Sequence, residues 1–195
     1  MTITNNAEQA VELTQESGKL TIVLQLLDRI QQQEKVILFM VTKRLQRLLK
    51  LWLDQIYGLD IVVINGDTKA VSNKTDDLTR KKLISQFEEK ASFNVLIMSP
   101  VAAGIGLTVV GANHVIHLER HWNPAKEAQA SDRIYRIGQK KPVFIHLPTL
   151  THPQHDAFDV HLDRLLRSKL MLKDSVVTPE AVRENEISRA LGLDS

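Results

Sequence analysis

The stretch Val36-Ile37-Leu38-Phe39-Met40-Val41 decides the fold class. Six consecutive apolar residues are typical of a strand that is buried on both faces. Strands of that kind occur almost only in parallel sheets, where the connections between strands are helices that cover the sheet. The run therefore predicts an α/β domain, provided that helical segments precede and follow it.

Helical patterns flank this run on both sides. Apolar residues recur at three- and four-residue spacing over about 18–32, which predicts an amphipathic helix. Thr42 is a plausible N-cap for a second helix that runs to about Tyr57 and ends at Gly58. Further strands are predicted at 61–64, 93–98, 114–118 and 143–147, with further helices that begin near Thr79, Pro124 and Gln154. This alternation predicts a mostly parallel sheet with helices on both faces.

Length and composition are those of an ordinary globular protein. The 195 residues suit a flexible N-terminal segment over 1–17, one domain over 18–150 and a helical extension over 151–195. The formal net charge is only +2, so any anion-binding surface must come from local clustering. The absence of cysteine excludes disulfides and cysteine-based metal or catalytic sites, and it favours the cytoplasm.

The sequence gives no sign of membrane targeting. No apolar run approaches the ~18 residues of a membrane span. The first residues are polar and carry no early positive charge, which does not fit a signal peptide. His114 and His117 alternate on a predicted strand but have no third residue spaced to complete a metal site. We therefore expect a cytoplasmic protein without a metal site of its own.

The predicted topology points to three loops as the place for a ligand. In open α/β sheets, ligands bind at the carboxyl ends of the strands. The loops after Val41, Met98 and Leu118 lie at such ends, and the last of them leads into a predicted helix that carries Gln129, Arg133 and Arg136. We therefore expect a cleft at this edge of the sheet.

The stretch Gln129–Gln139 carries two arginines that are three residues apart. If the stretch is helical, Arg133 and Arg136 share one face. Two guanidinium groups aimed at one point suit a polyanion, because each can bind phosphate oxygens bidentately. A solvated helix face is the simpler interpretation of two arginines alone. Gly138 is expected to end the turn.

Four sequence blocks, in this order and at these short spacings, resemble a known family. The blocks are Ser99–Leu107, Ala112–His117, Arg120–Ala125 and Gln129–Gln139. Residues 18–150 resemble the second RecA-like lobe of superfamily-two helicases, and more specifically the Swi/Snf-type helicase-like ATPases and DNA translocases, including bacterial members. The resemblance implies a RecA-like, mostly parallel sheet flanked by helices on both faces.

The resemblance implies roles for six residues around ATP. Arg136 matches the arginine finger, and Arg133 matches a second contact to the γ-phosphate. The remaining candidates for ATP binding are Gln129, Asp132, Gly104 and Gly106. The two glycines match a turn that couples nucleotide to DNA, although a purely structural tight turn remains open for them. Phosphoryl transfer spreads negative charge over the γ-phosphate oxygens, and an arginine finger neutralises that charge.

The same resemblance implies contacts with double-stranded DNA. Thr42 and Lys43 follow the first strand, where the family contacts phosphate. Ser99 matches a hydroxyl position near the DNA backbone. Trp122 is a further candidate DNA contact, although packing against the protein is the favoured interpretation, because a single aromatic residue does not make a stacking platform. A bacterial protein of this kind would be associated with the nucleoid.

A complete motor of this family needs two motifs that this sequence lacks. Neither a Walker A loop nor an acidic Mg²⁺-binding block is present. ATP with Mg²⁺ is therefore expected to be held mainly by a first RecA-like lobe, and the isolated chain is expected to be inactive. A non-catalytic module that binds nucleic acid or protein remains an alternative. A Rossmann or flavodoxin-like enzyme is disfavoured, because no Gly-x-Gly-x-x-Gly opens the first helix after a strand.

Overall fold

The computed structural model describes residues 17–30, 34–70, 79–103, 107–173 and 183–190. In chain order, the helices and strands within these ranges are α1 (Gly18–Arg29), β1 (Lys35–Phe39), α2 (Lys43–Tyr57), β2 (Val62–Ile64), α3 (Arg80–Glu89), β3 (Asn94–Met98), α4 (Pro100–Ala103), β4 (His114–His117), α5 (Pro124–Asp132), β5 (Phe144–His146), α6 (Phe158–Lys173) and α7 (Glu184–Ala190). All five predicted strands are present. Apart from Ser17, the predicted flexible segment lies outside the described residues.

The five strands form one parallel sheet in the order β2-β3-β1-β4-β5. The predicted strand β1 is central, and its Leu38 lies opposite Ile97 of β3 and Ile116 of β4. Parallel neighbours need crossover connections, and the helices between the strands supply them. The prediction of a mostly parallel sheet flanked by helices is confirmed.

The hydrophobic core covers both faces of the sheet, as the apolar run predicts. On β1, Val36 and Leu38 pack with residues of α1 and α2. Ile37 and Phe39 pack on the opposite face with residues of α3, α4 and α5. These four side chains are fully buried. Burying each stabilises the fold by roughly 1.5–3 kcal/mol, which explains why no polar residue interrupts the run.

The ends of several helices follow the local sequence signals. Gly58 ends α2 in the left-handed conformation with φ 61°, where glycine carries no steric penalty. Asn123 caps α5 by accepting a hydrogen bond from the Ala125 backbone N–H, and Pro124 occupies the first turn as predicted. The cap of α2 differs: Thr42 is at the N-cap, but its side chain makes no capping bond.

Helix α6 packs against the sheet domain through apolar and charged contacts. It begins at Phe158 rather than near Gln154, and its Leu162 and Leu166 are buried. The Lys19 ammonium of α1 lies 2.7 Å from the Asp159 carboxylate of α6. The first turns of α6 are therefore fixed to the body that holds the sheet. No helix within the described ranges is long and apolar enough to cross a membrane.

Candidate functional site

The loops after β1, β3 and β4 meet at the carboxyl edge of the sheet. The Met40 backbone N–H donates to the Met98 carbonyl at 3.0 Å, and the Leu118 N–H donates to the Phe39 carbonyl at 3.1 Å. These bonds extend the strand pairing beyond the strands themselves. The predicted loops are thus neighbours.

The helix that leads to the two arginines is shorter than predicted. It ends at Asp132, so the prediction that Arg133 and Arg136 share one helical face is wrong. The Arg133 carbonyl accepts a hydrogen bond from the Val109 backbone N–H at 3.1 Å, whereas a continuing α-helix would need that carbonyl for residue 137. Ile134 is fully buried next to it. These tertiary contacts end the helix, and 133–138 form turns.

The Arg136 side chain lies on the surface of this turn segment. Its Nη1 lies 3.4 Å from the Thr108 hydroxyl, a long hydrogen bond that leaves other guanidinium donors exposed to solvent. A concavity of about 700 Å³ opens beside it and is lined by Thr108, Tyr135, Arg136, Ile137, Gln139 and Lys141. Of these lining residues two are cations and none is an anion, so the concavity is suited to an anionic ligand.

Gln139 fixes the turn segment to the loop that carries Thr108. Its amide nitrogen donates to the Val110 carbonyl at 3.1 Å and to the Ala112 carbonyl at 2.6 Å. Its amide oxygen accepts from the Lys141 backbone N–H at 2.9 Å. Gly138 has φ 109°, a conformation that strains other residues and that lets the chain turn into Gln139. The Gly138-Gln139 pair thus holds Arg136 and Thr108 within reach of each other.

A buried hydrogen bond holds the C-terminal end of α5 against the sheet. The imidazole Nε2 of His117, on β4, lies 2.8 Å from the Ser131 hydroxyl. Burial lowers the pKa of His117 to about 4, so the ring is neutral at physiological pH. Gln129 and Asp132 lie at exposed positions of the same helix. These two candidates for ATP binding are therefore accessible, whereas Arg133 is half-buried.

A carboxylate occupies the end of α2 that sequence reasoning predicts to contact DNA phosphate. Oε2 of Glu119 accepts from the Val41 and Thr42 backbone N–H groups, and Oε1 accepts from the Thr42 hydroxyl, each at 2.7 Å. The Lys43 ammonium lies 2.5 Å from the Asp67 carboxylate. The predicted phosphate donors of Thr42 and Lys43 are thus bound to carboxylates of the protein itself.

The other DNA candidates differ in their surroundings. The Ser99 hydroxyl accepts from the Ala102 backbone N–H at 3.2 Å at the start of α4. Trp122 is 41% exposed, and its ring centroid lies 6.3 Å from that of Phe158 on α6. The ring thus has a packing contact with α6 and keeps an exposed face, and a DNA contact of Trp122 stays a prediction. The predicted turn glycines Gly104 and Gly106 lie outside the described residues.

Sequence reasoning missed a buried charge cluster around Arg120. The Arg120 guanidinium binds Glu127 of α5 and Asp163 of α6, and its side chain is only 7% exposed. A buried arginine needs carboxylate partners, but one arginine in a sequence does not show which carboxylates these are. Among the described residues, no group of three side chains is arranged to hold a metal ion. His114 instead contacts Glu34 and His146.

Comparison with known proteins places this geometry among helicase-like proteins. The model of the helicase conserved C-terminal domain matches residues 18–138. The Zorya protein ZorD of Escherichia coli O139:H28 (strain E24377A / ETEC) is 42% identical over 84% of this chain and 15% of its own length. The putative ATP-dependent helicase/translocase YwqA of Bacillus subtilis (strain 168) is 34% identical over 89% of this chain and 18% of its own length. The chain thus spans less than a fifth of these relatives.

Solved structures share the fold. The C-terminal part of the Fun30 ATPase domain matches with a TM-score of 0.69 and 26% identity, over 91% of this chain and 54% of that one. The Sulfolobus solfataricus SWI2/SNF2 ATPase core in complex with dsDNA matches with a TM-score of 0.61, over 97% of this chain and 35% of that one. At 24% identity, the second likeness supports the RecA-like fold alone.

Proposed function

The chain belongs to the family of helicase conserved C-terminal domains, and its relatives are Swi/Snf-type helicase-like proteins; from this premise we propose that it is the second motor lobe of an ATP-dependent DNA translocase. The lobe supplies Arg136 as an arginine finger to ATP that a first RecA-like lobe holds. The exposed Arg136 guanidinium, held beside Thr108 at the rim of the cationic concavity, is the observation that carries this proposal.

The residues that line the concavity beside Arg136 suit the triphosphate end of ATP. Helicase-like ATPases use ATP with Mg²⁺, which supplies the phosphoryl group that is transferred to water. Arg136 and Lys141 bring positive charge to the concavity, and solvent-exposed donors of Arg136 remain able to bind phosphate oxygens. Arg136 neutralises the charge that develops on the γ-phosphate, while Gln139 holds the turn that carries it. Arg133, Gln129 and Asp132 are further candidates for nucleotide contact.

We propose that DNA contacts the carboxyl edge of the sheet. Ser99 and the N-terminus of α2 face the region where three strand ends meet. A DNA phosphate can reach the Thr42 and Lys43 donors only by replacing the carboxylates of Glu119 and Asp67. We propose that double-stranded DNA is bound jointly with the first lobe, and that the protein acts in the cytoplasm.

The test uses the two-lobe protein with Arg136→Ala. We expect kcat for DNA-stimulated ATP hydrolysis to fall ~10³-fold or more, because this is the usual contribution of an arginine finger. Lys140→Ala is the matched control, since it removes an exposed cation from the same segment but from outside the concavity. Near-normal turnover by the Arg136→Ala protein would contradict the assignment.

A non-catalytic module that binds nucleic acid or protein is the second candidate. This alternative predicts that Arg136→Ala weakens binding of the nucleic acid or protein partner and that no ATP hydrolysis depends on it. The translocase proposal predicts lost hydrolysis with retained DNA affinity, so the two are separated by measuring both quantities on the same variant.

A further inference from the structure

We infer that Asp163 on α6 is a positioning residue for the segment that carries Arg136. The inference rests on the proposed function of Arg136, but Asp163 itself lies beyond residues 18–138, the part of the chain that the helicase domain model matches. Asp163 fixes Arg120, Arg120 fixes Glu127 on α5, and α5 leads directly into the arginine segment. Helix α6 therefore contributes to the geometry of the segment that carries Arg136.

The contacts of Arg120 carry the first step of this inference. Its Nε lies 3.0 Å from both carboxylate oxygens of Glu127, its Nη2 lies 2.8 Å from Oε1 of Glu127, and its Nη1 lies 2.7 Å from Oδ1 of Asp163. The three side chains are 7%, 10% and 17% exposed, respectively. Salt and water screen buried charges much less than exposed ones, so the three groups hold one another in a defined geometry.

Glu127 transmits this geometry to α5. It lies in the first turn of the helix, and its Oε2 also accepts from the His121 backbone N–H at 2.9 Å. Nine residues of α-helix span only about 13 Å, and a helix of that length moves as one body. The other end of the helix is held by the hydrogen bond between Ser131 and His117. The next residue after the helix, Arg133, accepts a hydrogen bond from the Val109 backbone N–H through its carbonyl. A shift at Glu127 therefore moves α5 and with it the start of the turn segment that carries Arg136.

Asp163 is itself held in place, which makes it a fixed point for Arg120. Its Oδ2 lies 2.6 Å from Nε of Arg167, one helical turn away. The neighbouring Leu162 is buried, and so is Leu166 on the same face of α6. The Asp163 carboxylate therefore lies on a helix whose neighbouring side chains are buried.

The experiment measures steady-state ATP hydrolysis by the two-lobe protein with Asp163→Ala. We expect kcat to fall about 10- to 100-fold, the cost of a small misplacement of a catalytic group. KM for ATP is expected to stay within about twofold, because the first lobe holds the nucleotide and Asp163 does not touch it. Asp163→Asn keeps an acceptor for Arg120 but loses the charge, so its kcat is expected to lie between those of the wild type and Asp163→Ala.

Lys19→Ala is the matched control. It removes another 2.7 Å ion pair of α6, the one with Asp159, whose two partners are 19% and 18% exposed, but it leaves Arg120 and its partners untouched. A purely structural role of α6 predicts that Lys19→Ala and Asp163→Ala lower kcat alike. The inference predicts that only the Asp163 variants lower kcat, when they are compared with a Lys19→Ala protein of the same melting temperature. Equal losses, or a wild-type kcat for both Asp163 variants, would overturn the inference.

Arg136→Lys separates this inference from the proposed function. If the two residues act through one geometry, adding Asp163→Ala to Arg136→Lys lowers kcat by less than it does in the wild type. If the two substitutions lower kcat by independent factors in this double-mutant cycle, the inference is overturned. If Arg136→Lys alone turns over normally, the proposed function fails. If it is impaired while Asp163→Ala is normal, only the inference fails.

Discussion

Replacing Glu119 by alanine tests how the N-terminus of α2 is stabilised. The carboxylate accepts three hydrogen bonds of 2.7 Å, two from the backbone N–H groups of Val41 and Thr42 and one from the Thr42 hydroxyl. Thr42 makes no capping bond of its own to α2. The Glu119→Ala protein therefore leaves this helix end without a side-chain acceptor and without a nearby negative charge.

The size of the effect follows from these contacts. Loss of an N-cap acceptor costs about 1 kcal/mol, and loss of a negative charge near a helix N-terminus costs roughly 0.3–1 kcal/mol. Glu119 is half-buried, so water replaces part of what is lost. We expect the free energy of unfolding to fall by about 1–2 kcal/mol. For a chain of 195 residues, this corresponds to a fall in Tm of about 5 °C.

Urea denaturation of the 195-residue chain, followed by circular dichroism, measures this change. Glu119→Gln keeps the shape and one acceptor oxygen, so we expect about half of the loss. Glu89→Ala is the control, because Glu89 is an exposed glutamate whose carboxylate accepts only from the Ser85 hydroxyl within the described ranges. An unfolding free energy of Glu119→Ala equal to that of the control would refute the reasoning. In the two-lobe protein, Glu119→Ala should also bind DNA more tightly, since it frees phosphate donors.

Two further predictions concern the anchors of the arginine segment. Gln139→Glu places a carboxylate next to the Val110 and Ala112 carbonyls, which accept hydrogen bonds from the amide in the wild type. We expect the free energy of unfolding to fall by about 2 kcal/mol or more. Wild-type stability in urea denaturation would contradict this. His117 has a pKa of about 4 in the folded protein, below its unfolded value. The stability that the neutral ring contributes is therefore fully present above about pH 6.5 and is lost as the pH falls towards 4. This loss amounts to roughly 3 kcal/mol for this group. Urea midpoints at pH 7 and pH 5 should differ less in His117→Leu than in the wild type, and an unchanged difference would contradict the origin of the effect.

The strands and most helices could be predicted from sequence because their signals are local. The apolar run 36–41 corresponds to β1, and the glycine and proline signals at Gly58 and Pro124 coincide with real helix ends. The end of α5 could not be predicted in this way. Its nearest local stop signal is Gly138, whereas the helix ends at Asp132 because Val109, far away in the chain, takes the Arg133 carbonyl.

The residues of the candidate site also differ in how far the sequence alone points to them. The family resemblance of the Gln129–Gln139 block implies that Arg136 faces a phosphate, which stays a prediction, and the structure leaves that side chain exposed beside a cationic concavity. Glu119 and Asp163 carry no comparable signal. Glu119 binds Thr42 across 77 positions of sequence, and Asp163 binds Arg120 across 43. A single carboxylate does not reveal such a partner until the fold has brought the two together.

The position of the Arg136 guanidinium in the two-lobe protein bound to DNA and to a transition-state analogue of ATP hydrolysis is the most direct measurement. The proposed function predicts that the guanidinium leaves Thr108 and lies about 3 Å from the oxygens that replace the γ-phosphate. A structure in which Arg136 stays on Thr108 and another cation contacts those oxygens would contradict it.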